Sequence, residues 1–337
     1  MPEYLTAEEL KAHPEFRHVI WNLKPTKSGE CECGAGRGGP YNIAYELHGS
    51  GPRHILFIMG LGGLRSAWQR QNKDFGHTQG DQYSTLCLDN IGIGESDKPV
   101  MRYSTSNMAR DVLGLLNHVG WTEKRSVHVV GVSMGGMIAQ ELGLIAPDRI
   151  ASLSLVSTAA RLVNTVGFFE NLRNRINMFI PKNIDQQIDQ ARNMIYTKGY
   201  LAQPDELEYT EKPFPTNGDR FGAAELWKRS RPDWFTRKGF IGQAIAAGWH
   251  HKSAEQLKEL AEKVGRECIV VMHGTEDKMI TPPHGETLAE ELSRGAGEGK
   301  GIRMEIFKEQ AHVIPIEKRK EFHALLEDII RKTEQLP

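Results

Sequence analysis

Ser133 is the residue of this chain whose setting points most directly to chemistry. It stands in the pattern Gly-x-Ser-x-Gly, between Gly131 and Gly135. A serine hydroxyl is almost fully protonated near pH 7, so it attacks a carbonyl carbon only when a neighbouring base accepts its proton. Nucleophilic catalysis therefore requires a histidine as base, a carboxylate that orients the histidine, and hydrogen-bond donors for the developing oxyanion.

The residues around Ser133 predict a strand, a sharp turn and a helix. The apolar run at 127–130 precedes the motif, and an apolar-faced helical pattern begins at Met134. Glycines two residues before and after the serine leave room for the crossing backbone at such a corner. The helix would point free N–H groups and a partial positive charge toward the space beside Ser133.

His312 and Asp277 are the candidate base and acid, because each follows a predicted strand. The strands are the apolar runs at 302–307 and 268–272. Glu276 is the neighbour that competes with Asp277 for the acid role. The chain has 13 histidines, so most must be incidental, and position after a strand is what separates His312 from the others. His128 falls inside a buried strand, where we expect a packed core residue.

The spacing of apolar runs predicts a doubly wound, mostly parallel α/β sheet. Runs at 54–59, 84–88 and 151–156 have the composition of strands covered on both faces. A helical period over 104–119 separates the run at 84–88 from the strand that precedes Ser133. A strand at 41–47 and an edge strand at 18–23 would open the sheet in antiparallel fashion, and Thr6 would cap a short helix at 6–13.

Three regions follow from these patterns. Residues 1–39 are expected to be an N-terminal extension with a Gly-rich loop, 40–160 and 249–337 the α/β core, and 161–248 an inserted helical cap. The cap region contains no strand-like run, and its aromatic residues favour an apolar or aromatic ligand. The candidates for the pocket wall are Gly60, Phe168, Trp227, Trp234 and Trp249.

Composition excludes several classes of partner. A net charge of −1 over 337 residues gives no reason to expect nucleic acid, and no apolar run approaches the ~18 residues that span a bilayer. The acidic N-terminal residues lack an apolar signal region, so a cytoplasmic location is expected. Neither a phosphate-binding loop nor a complete dinucleotide fingerprint is present, and no organic cofactor is expected.

No metal site is expected either. Cys31 and Cys33 lie in the Gly-rich stretch 28–39 without further ligands nearby, which favours a loop. His250 and His251 also lack a carboxylate or cysteine at ligand spacing. Cys87 and Cys268 fall inside predicted strands and are expected to be buried thiols.

Together these motifs resemble the α/β-hydrolase superfamily, from about residue 40 to the C-terminus. The resemblance rests on five motifs in order: Gly60-Leu61-Gly62-Gly63, the stretch from Asp89 to Ser96, the Ser133 turn, His273-Gly274-Thr275-Glu276-Asp277, and His312. The residues that follow Ser133 are most similar to those of the branch that contains enol-lactonases, carbon–carbon bond hydrolases, haloperoxidase-type esterases and methylesterases. Met59 and Ile91 depart from the family pattern, which often has histidine and arginine there.

The resemblance implies a triad of Ser133, Asp277 and His312, with Asp277 favoured over Glu276. It implies an oxyanion hole made by the backbone N–H groups of Leu61 and Met134. The activity implied is cleavage of an ester, lactone or thioester of an apolar small molecule through an acyl-serine intermediate. Two alternatives remain open: hydrolysis of a carbon–carbon bond in a β-diketone, and a non-catalytic small-molecule receptor or scaffold. Substrate identity and oligomeric state are not encoded in these patterns.

Overall fold

Eight strands of the described residues form one mixed sheet. The computed structural model describes residues 4–163, 183–205, 212–297 and 299–336. The strands are β1 (Lys27–Cys33), β2 (Tyr41–Gly49), β3 (Arg53–Ile58), β4 (Tyr83–Leu88), β5 (Val127–Val132), β6 (Ile150–Val156), β7 (Ile269–Gly274) and β8 (Arg303–Phe307). Their spatial order is β1-β2-β4-β3-β5-β6-β7-β8. The first two pairings, β1 with β2 and β2 with β4, are antiparallel, and the others are parallel.

Helices connect and cover the strands. Those of the described residues are α1 (Ala7–Ala12), α2 (Gln69–Gln71), α3 (Thr105–Val119), α4 (Met134–Ile145), α5 (Ile184–Ile195), α6 (Lys198–Ala202), α7 (Asn217–Arg229), α8 (Arg237–Gly248), α9 (Ala254–Val264), α10 (Pro282–Ser293), α11 (Ile314–Glu317) and α12 (Arg319–Thr333). The doubly wound α/β architecture predicted from the sequence is confirmed. In the described part of the chain, no helix combines the length and the hydropathy that a bilayer span requires.

The parallel strands β4, β5, β6 and β7 are buried throughout, as their apolar composition predicts, whereas β8 at the sheet edge is only partly buried. All six residues of β4, of β5 and of β7 are buried. One apolar cluster packs α3, α4, α9 and α10 against the sheet, and a second packs α12 against it. Because β3 to β8 run in the same direction, their carboxyl ends meet at one edge, where open α/β sheets bind ligands.

The N-terminal region differs from the sequence prediction in two places. The predicted edge strand at 18–23 is wrong: a 3₁₀ turn occupies Pro14–His18, and no strand follows it before β1. Gln69 fastens this segment to the core, accepting a bond from the Trp21 N–H at 2.8 Å and donating one to the Val19 carbonyl at 3.2 Å. Side-chain bonds of this kind hold an extended segment without a strand partner.

The prediction of a loop through Cys31 and Cys33 is also wrong. These residues lie in β1, which pairs along its whole length with β2. Both thiols are buried, with their sulfurs 3.8 Å apart, while Glu30 and Glu32 are exposed on the other face. Pairing with β2 therefore overrides the low strand propensity of glycine and glutamate in this stretch. The capping box predicted for α1, between Thr6 and Glu9, is confirmed.

Candidate active site

Ser133 occupies a sharp corner between β5 and α4. Its backbone has φ 59° and ψ −124°, a conformation that residues other than glycine rarely adopt. The flanking glycines are required by close contacts. A Cβ on Gly131 would lie 2.3 Å from the Gly135 carbonyl oxygen, and one on Gly135 would lie 2.1 Å from that of Ile58. The steric reason predicted for the two glycines is confirmed.

The backbone of Ser133 is anchored while its hydroxyl is left free. The Ser133 N–H donates to the Val156 carbonyl at 2.9 Å, and the Thr158 hydroxyl donates to the Ser133 carbonyl at 2.7 Å. The residue is 9% exposed. Within the described residues, the Ser133 hydroxyl makes no hydrogen bond, including none to His312. In ligand-free sites, bonds between nucleophile and base are often loose and tighten only when substrate binds.

Asp277 and His312 form a buried hydrogen-bonded pair. They follow β7 and β8, which are neighbours in the sheet, and His312 Nδ1 lies 2.8 Å from Asp277 Oδ2. A proton on Nδ1 donates to the carboxylate and leaves Nε2 as an acceptor, which is the tautomer that a general base needs. Glu276, the alternative acid, is exposed.

The Asp277 carboxylate is kept ionised by its neighbours. Burial by itself would raise the pKa of Asp277, but the His312 ring and hydrogen bonds from His273 and His312 hold that pKa well below its usual range. The other oxygen, Oδ1, accepts the N–H groups of Met279 and Ile280 at 2.8 and 3.0 Å. An ionised carboxylate here favours an imidazolium at His312 during a reaction.

His273 supports the Asp277 loop and was not singled out from the sequence. Its Nε2 lies 2.7 Å from the Ile280 carbonyl and 3.5 Å from Asp277 Oδ2. The ring is fully buried. The sequence signal for His273 is its position as the first residue of the late His-Gly motif, four residues before Asp277.

Gly60 lies directly against Ser133, and Leu61 follows it in the same loop. A Cβ on Gly60 would be 2.8 Å from Ser133 Cβ and 3.3 Å from its Oγ. Among the described residues, neither the Leu61 N–H nor the Met134 N–H has an acceptor. Free backbone donors on the residues that follow Gly60 and Ser133 are of the kind that can bind an oxyanion.

Aromatic side chains from the region between β6 and β7 lie near this loop. Phe240 and Phe235 are 3.2 and 3.4 Å from the Cβ position of Gly62. Trp227 and Trp234 pack edge to face, with ring centroids 5.7 Å apart. Trp249 is 74% exposed and lies beneath the Arg102 guanidinium. Phe168, the remaining aromatic candidate, lies outside the described residues.

A cavity of about 250 Å³ lies away from these groups, between the region of α6 and α7 and the core. Its lining residues are Arg70, Tyr200, Gln203, Pro204, Asp205, Asn217, Ile316 and Arg319. Ser133, Asp277 and His312 are not among them. The cavity is therefore separate from the groups that could carry chemistry.

Two histidines considered above have structural partners. His128 is buried in β5, with Nδ1 2.9 Å from the Ser152 hydroxyl, and burial lowers its pKa to about 4. His250 Nδ1 lies 2.9 Å from the Thr105 hydroxyl, and burial lowers its pKa to about 3. Both contacts favour a role in packing.

One group of possible metal ligands occurs among the described residues: Glu46, His48 and Cys87. The Glu46 carboxylate is bound by Arg65 Nε at 3.0 Å. Burial raises the pKa of the Cys87 thiol to about 12. Metal ligands must be deprotonated and available, so these contacts favour a hydrogen-bonded core cluster.

Comparison with known proteins places the chain among hydrolase-fold proteins. The model of the alpha/beta hydrolase fold family matches residues 53–318. Among curated relatives, the dihydrolipoyllysine-residue acetyltransferase component of the acetoin cleaving system of Cupriavidus necator is 27% identical over 290 residues, covering 84% of this chain and 65% of the relative. The 3-oxoadipate enol-lactonase 2 of Acinetobacter baylyi is 27% identical over 153 residues, covering 45% and 53%. The chain thus spans less than two thirds of the length of either.

Among solved structures, an esterase from Thermogutta terrifontis aligns with a TM-score of 0.63 and 21% identity. The alignment covers 91% of this chain and 99% of the esterase. At this identity the similarity establishes the fold alone.

Proposed function

This chain belongs to the alpha/beta hydrolase fold family, and from that premise we propose that it is a serine hydrolase acting on a carboxylic ester, lactone or thioester of an apolar small molecule. The observation that carries the proposal is the 2.8 Å bond between His312 Nδ1 and Asp277 Oδ2, at the same sheet edge as the strained Ser133 corner. A buried carboxylate–imidazole pair and an unbonded serine at one edge of the sheet are the groups that acyl transfer needs.

In the proposed reaction, Ser133 Oγ attacks the carbonyl carbon while His312 Nε2 takes the hydroxyl proton. The tetrahedral oxyanion is bound by the N–H groups of Leu61 and Met134. His312 then gives its proton to the departing alkoxide or thiolate, which leaves an acyl-serine. Water attacks this acyl group with His312 again as base, and the carboxylic acid and free Ser133 are released. Losing one such oxyanion donor costs about 3 kcal/mol in the barrier.

We propose that residues 161–248 form the cap over this site and that Trp227 and Trp234 belong to its pocket wall. The proximity of Phe235 and Phe240 to Gly62 supports an apolar pocket beside the oxyanion loop. Apolar pockets of this kind bind the hydrocarbon part of a substrate and leave orientation to a few polar groups. The participation of Phe168 and Trp249 stays a prediction.

The test is labelling by a fluorophosphonate probe together with turnover of p-nitrophenyl esters of increasing chain length. Ser133→Ala should abolish both, because it removes the attacking oxygen. The matched control is Ser154→Ala, since Ser154 is a buried strand serine whose hydroxyl has no partner. Labelling of the Ser133→Ala variant at the wild-type rate would exclude Ser133 as nucleophile.

A parallel panel of vinylogous β-diketones separates ester cleavage from carbon–carbon cleavage. Rapid diketone cleavage with background ester turnover would replace the proposed bond specificity but keep the same triad. Tight binding of apolar ligands without turnover of any substrate would instead favour a receptor.

A further inference from the structure

Gln243 bridges two loops at the active-site edge of the sheet. It lies on α8 and is fully buried. Its Oε1 accepts the Gly62 N–H at 2.9 Å, and its Nε2 donates to the Ile91 carbonyl at 2.9 Å. Because an N–H can only donate and a carbonyl can only accept, these two partners determine which way the amide faces.

The two partners belong to the loops that follow β3 and β4. Gly62 is the residue after Leu61, whose N–H is the proposed oxyanion donor. A buried amide that loses its partners costs about 1–3 kcal/mol. Gln243 therefore stabilises one separation between the two loops and disfavours others.

Other side chains hold the same short loop. Lys228, on α7, donates from Nζ to the Gly62 carbonyl at 3.3 Å. Asn90 donates to the Met59 carbonyl at 2.9 Å. On the opposite side, Gly60 is in contact with Ser133. The loop that carries Leu61 is thus bound on one side by the nucleophile and on the other by helices α7 and α8.

Helix α8 packs closely against this edge of the sheet. A Cβ on Gly239 would lie 1.8 Å from the Gly92 carbonyl oxygen, so only glycine fits at this crossing. The Gly94 N–H donates to the Trp234 carbonyl at 2.8 Å. Contacts between backbones leave little freedom for α8 to move without moving the loops.

We propose that Gln243 is a positioning residue for the oxyanion hole. By binding the Gly62 N–H, it sets the direction of the neighbouring Leu61 N–H, so that the donor is correctly aimed only when α8 is docked. This inference rests on the proposed serine-hydrolase function. It adds that a region inserted between β6 and β7 helps build the catalytic site as well as the pocket.

The test compares Gln243→Met with Gln69→Met. Methionine keeps the length of glutamine but makes neither bond. Gln69 is a matched control because it also bridges two backbone groups, Trp21 N–H and the Val19 carbonyl, outside the site. We expect Gln243→Met to lower kcat about 10- to 100-fold with KM changed less than about threefold, since a misplaced group near the chemistry acts on the transition state. Gln69→Met should leave kcat within about twofold.

A second measurement separates positioning from general loosening of the fold. In the proposed mechanism, Ser133 Oγ adds to the carbonyl carbon of a trifluoromethyl ketone inhibitor. The hemiketal oxyanion that forms then lies in the oxyanion hole. The inhibition constant of this ketone should rise in Gln243→Met by the same factor by which kcat/KM falls. Thermal unfolding of both variants reports any loss of stability, which we expect to be similar in the two.

The outcomes are distinct. Unchanged kcat in folded Gln243→Met, or a raised KM with unchanged kcat, would overturn the inference while leaving the triad intact. If Gln243→Met does not fold, Lys228→Met removes the contact to the Gly62 carbonyl instead, and a kcat loss below about twofold would overturn it. A wild-type protein with neither probe labelling nor turnover would overturn the proposed function itself.

Discussion

The strained backbone at Ser133 should reverse the usual order of stability between alanine and glycine variants. Ser133→Gly should be more stable than Ser133→Ala, although glycine normally destabilises. Both variants remove the proposed nucleophile, so activity does not enter the comparison. The backbone conformation, φ 59° and ψ −124°, is accessible to glycine but costs about 1–3 kcal/mol for a residue with a Cβ.

The expected size follows from two opposing effects. Relief of strain favours glycine by about 2 kcal/mol. Greater freedom of the unfolded chain disfavours glycine by about 0.4–1 kcal/mol. The net difference in the free energy of unfolding is therefore about 1 kcal/mol in favour of Ser133→Gly. In a chain of this length, that difference corresponds to a shift of about 1–2 °C in the unfolding midpoint.

The assay is guanidinium unfolding followed by tryptophan fluorescence at pH 7. Ser154→Gly and Ser154→Ala form the control pair, because Ser154 lies in the regular strand β6 with an unbonded hydroxyl. At position 154, the alanine variant should be more stable than the glycine variant by about 1 kcal/mol. The same order at both positions would refute the reasoning, because it would mean that the corner at Ser133 stores no strain.

Three further predictions concern the site and its surroundings. Asp277→Asn should lower kcat on p-nitrophenyl esters about 10⁴-fold by disturbing the His312 tautomer, whereas Glu276→Gln, at an exposed position, should not; equal losses would contradict this. Gly60→Ala should destabilise the protein by about 1–3 kcal/mol, measured by denaturant unfolding, because its Cβ would lie 2.8 Å from Ser133 Cβ; wild-type stability and activity would count against the packing described. The buried His128 has its pKa lowered to about 4 from an ordinary value of about 6.5, so below pH 6.5 the unfolded chain binds the extra proton. Protonation of His128 in the unfolded chain should therefore lower the free energy of unfolding by about 3 kcal/mol between pH 6.5 and 4. The His128→Asn variant should lack that part of the pH dependence. The same pH dependence in the variant would exclude His128 as its source.

Asp277 contributes to the pH dependence of stability with the same sign as His128 but in a lower pH range. Its pKa is lowered in the folded protein, so the unfolded chain takes up the proton first on acidification. Its contribution is fully present above the ordinary carboxyl pKa of about 3.9 and is lost as the pH falls toward the folded value. Unfolding measured above pH 5 therefore reports on the buried histidines His128 and His250 and not on Asp277, and the His128→Asn variant isolates the part that belongs to His128.

Motifs that depend on neighbouring residues could be predicted from the sequence. Gly131 and the Thr6 capping box are required by contacts within a few residues along the chain, whereas Gly135 is also required by the distant Ile58 carbonyl. The strands β3 to β7 were predicted because their apolar runs reflect burial on both faces, whereas β8 was predicted although it is only partly buried. The location of Asp277 and His312 after two late strands followed from the same pattern.

Other features depend on partners that are distant in the sequence. β1 forms because β2 offers a complete ladder of backbone partners, although its own residues favour a loop. The loop after β3 is bound by Gln243, 181 residues away. The one local signal for Gln243 was a single polar side chain in the otherwise apolar stretch 239–248.

The sequence by itself determined which chemistry is available: a serine at a glycine-flanked corner, with an acid and a histidine after later strands. The tertiary structure decided which groups meet. It pairs His312 with Asp277 and leaves Glu276 exposed, and it turns Trp249 to the surface. The physical reason is that backbone sterics and helix capping act over a few residues, whereas burial and hydrogen-bond partners are set by how strands and helices pack.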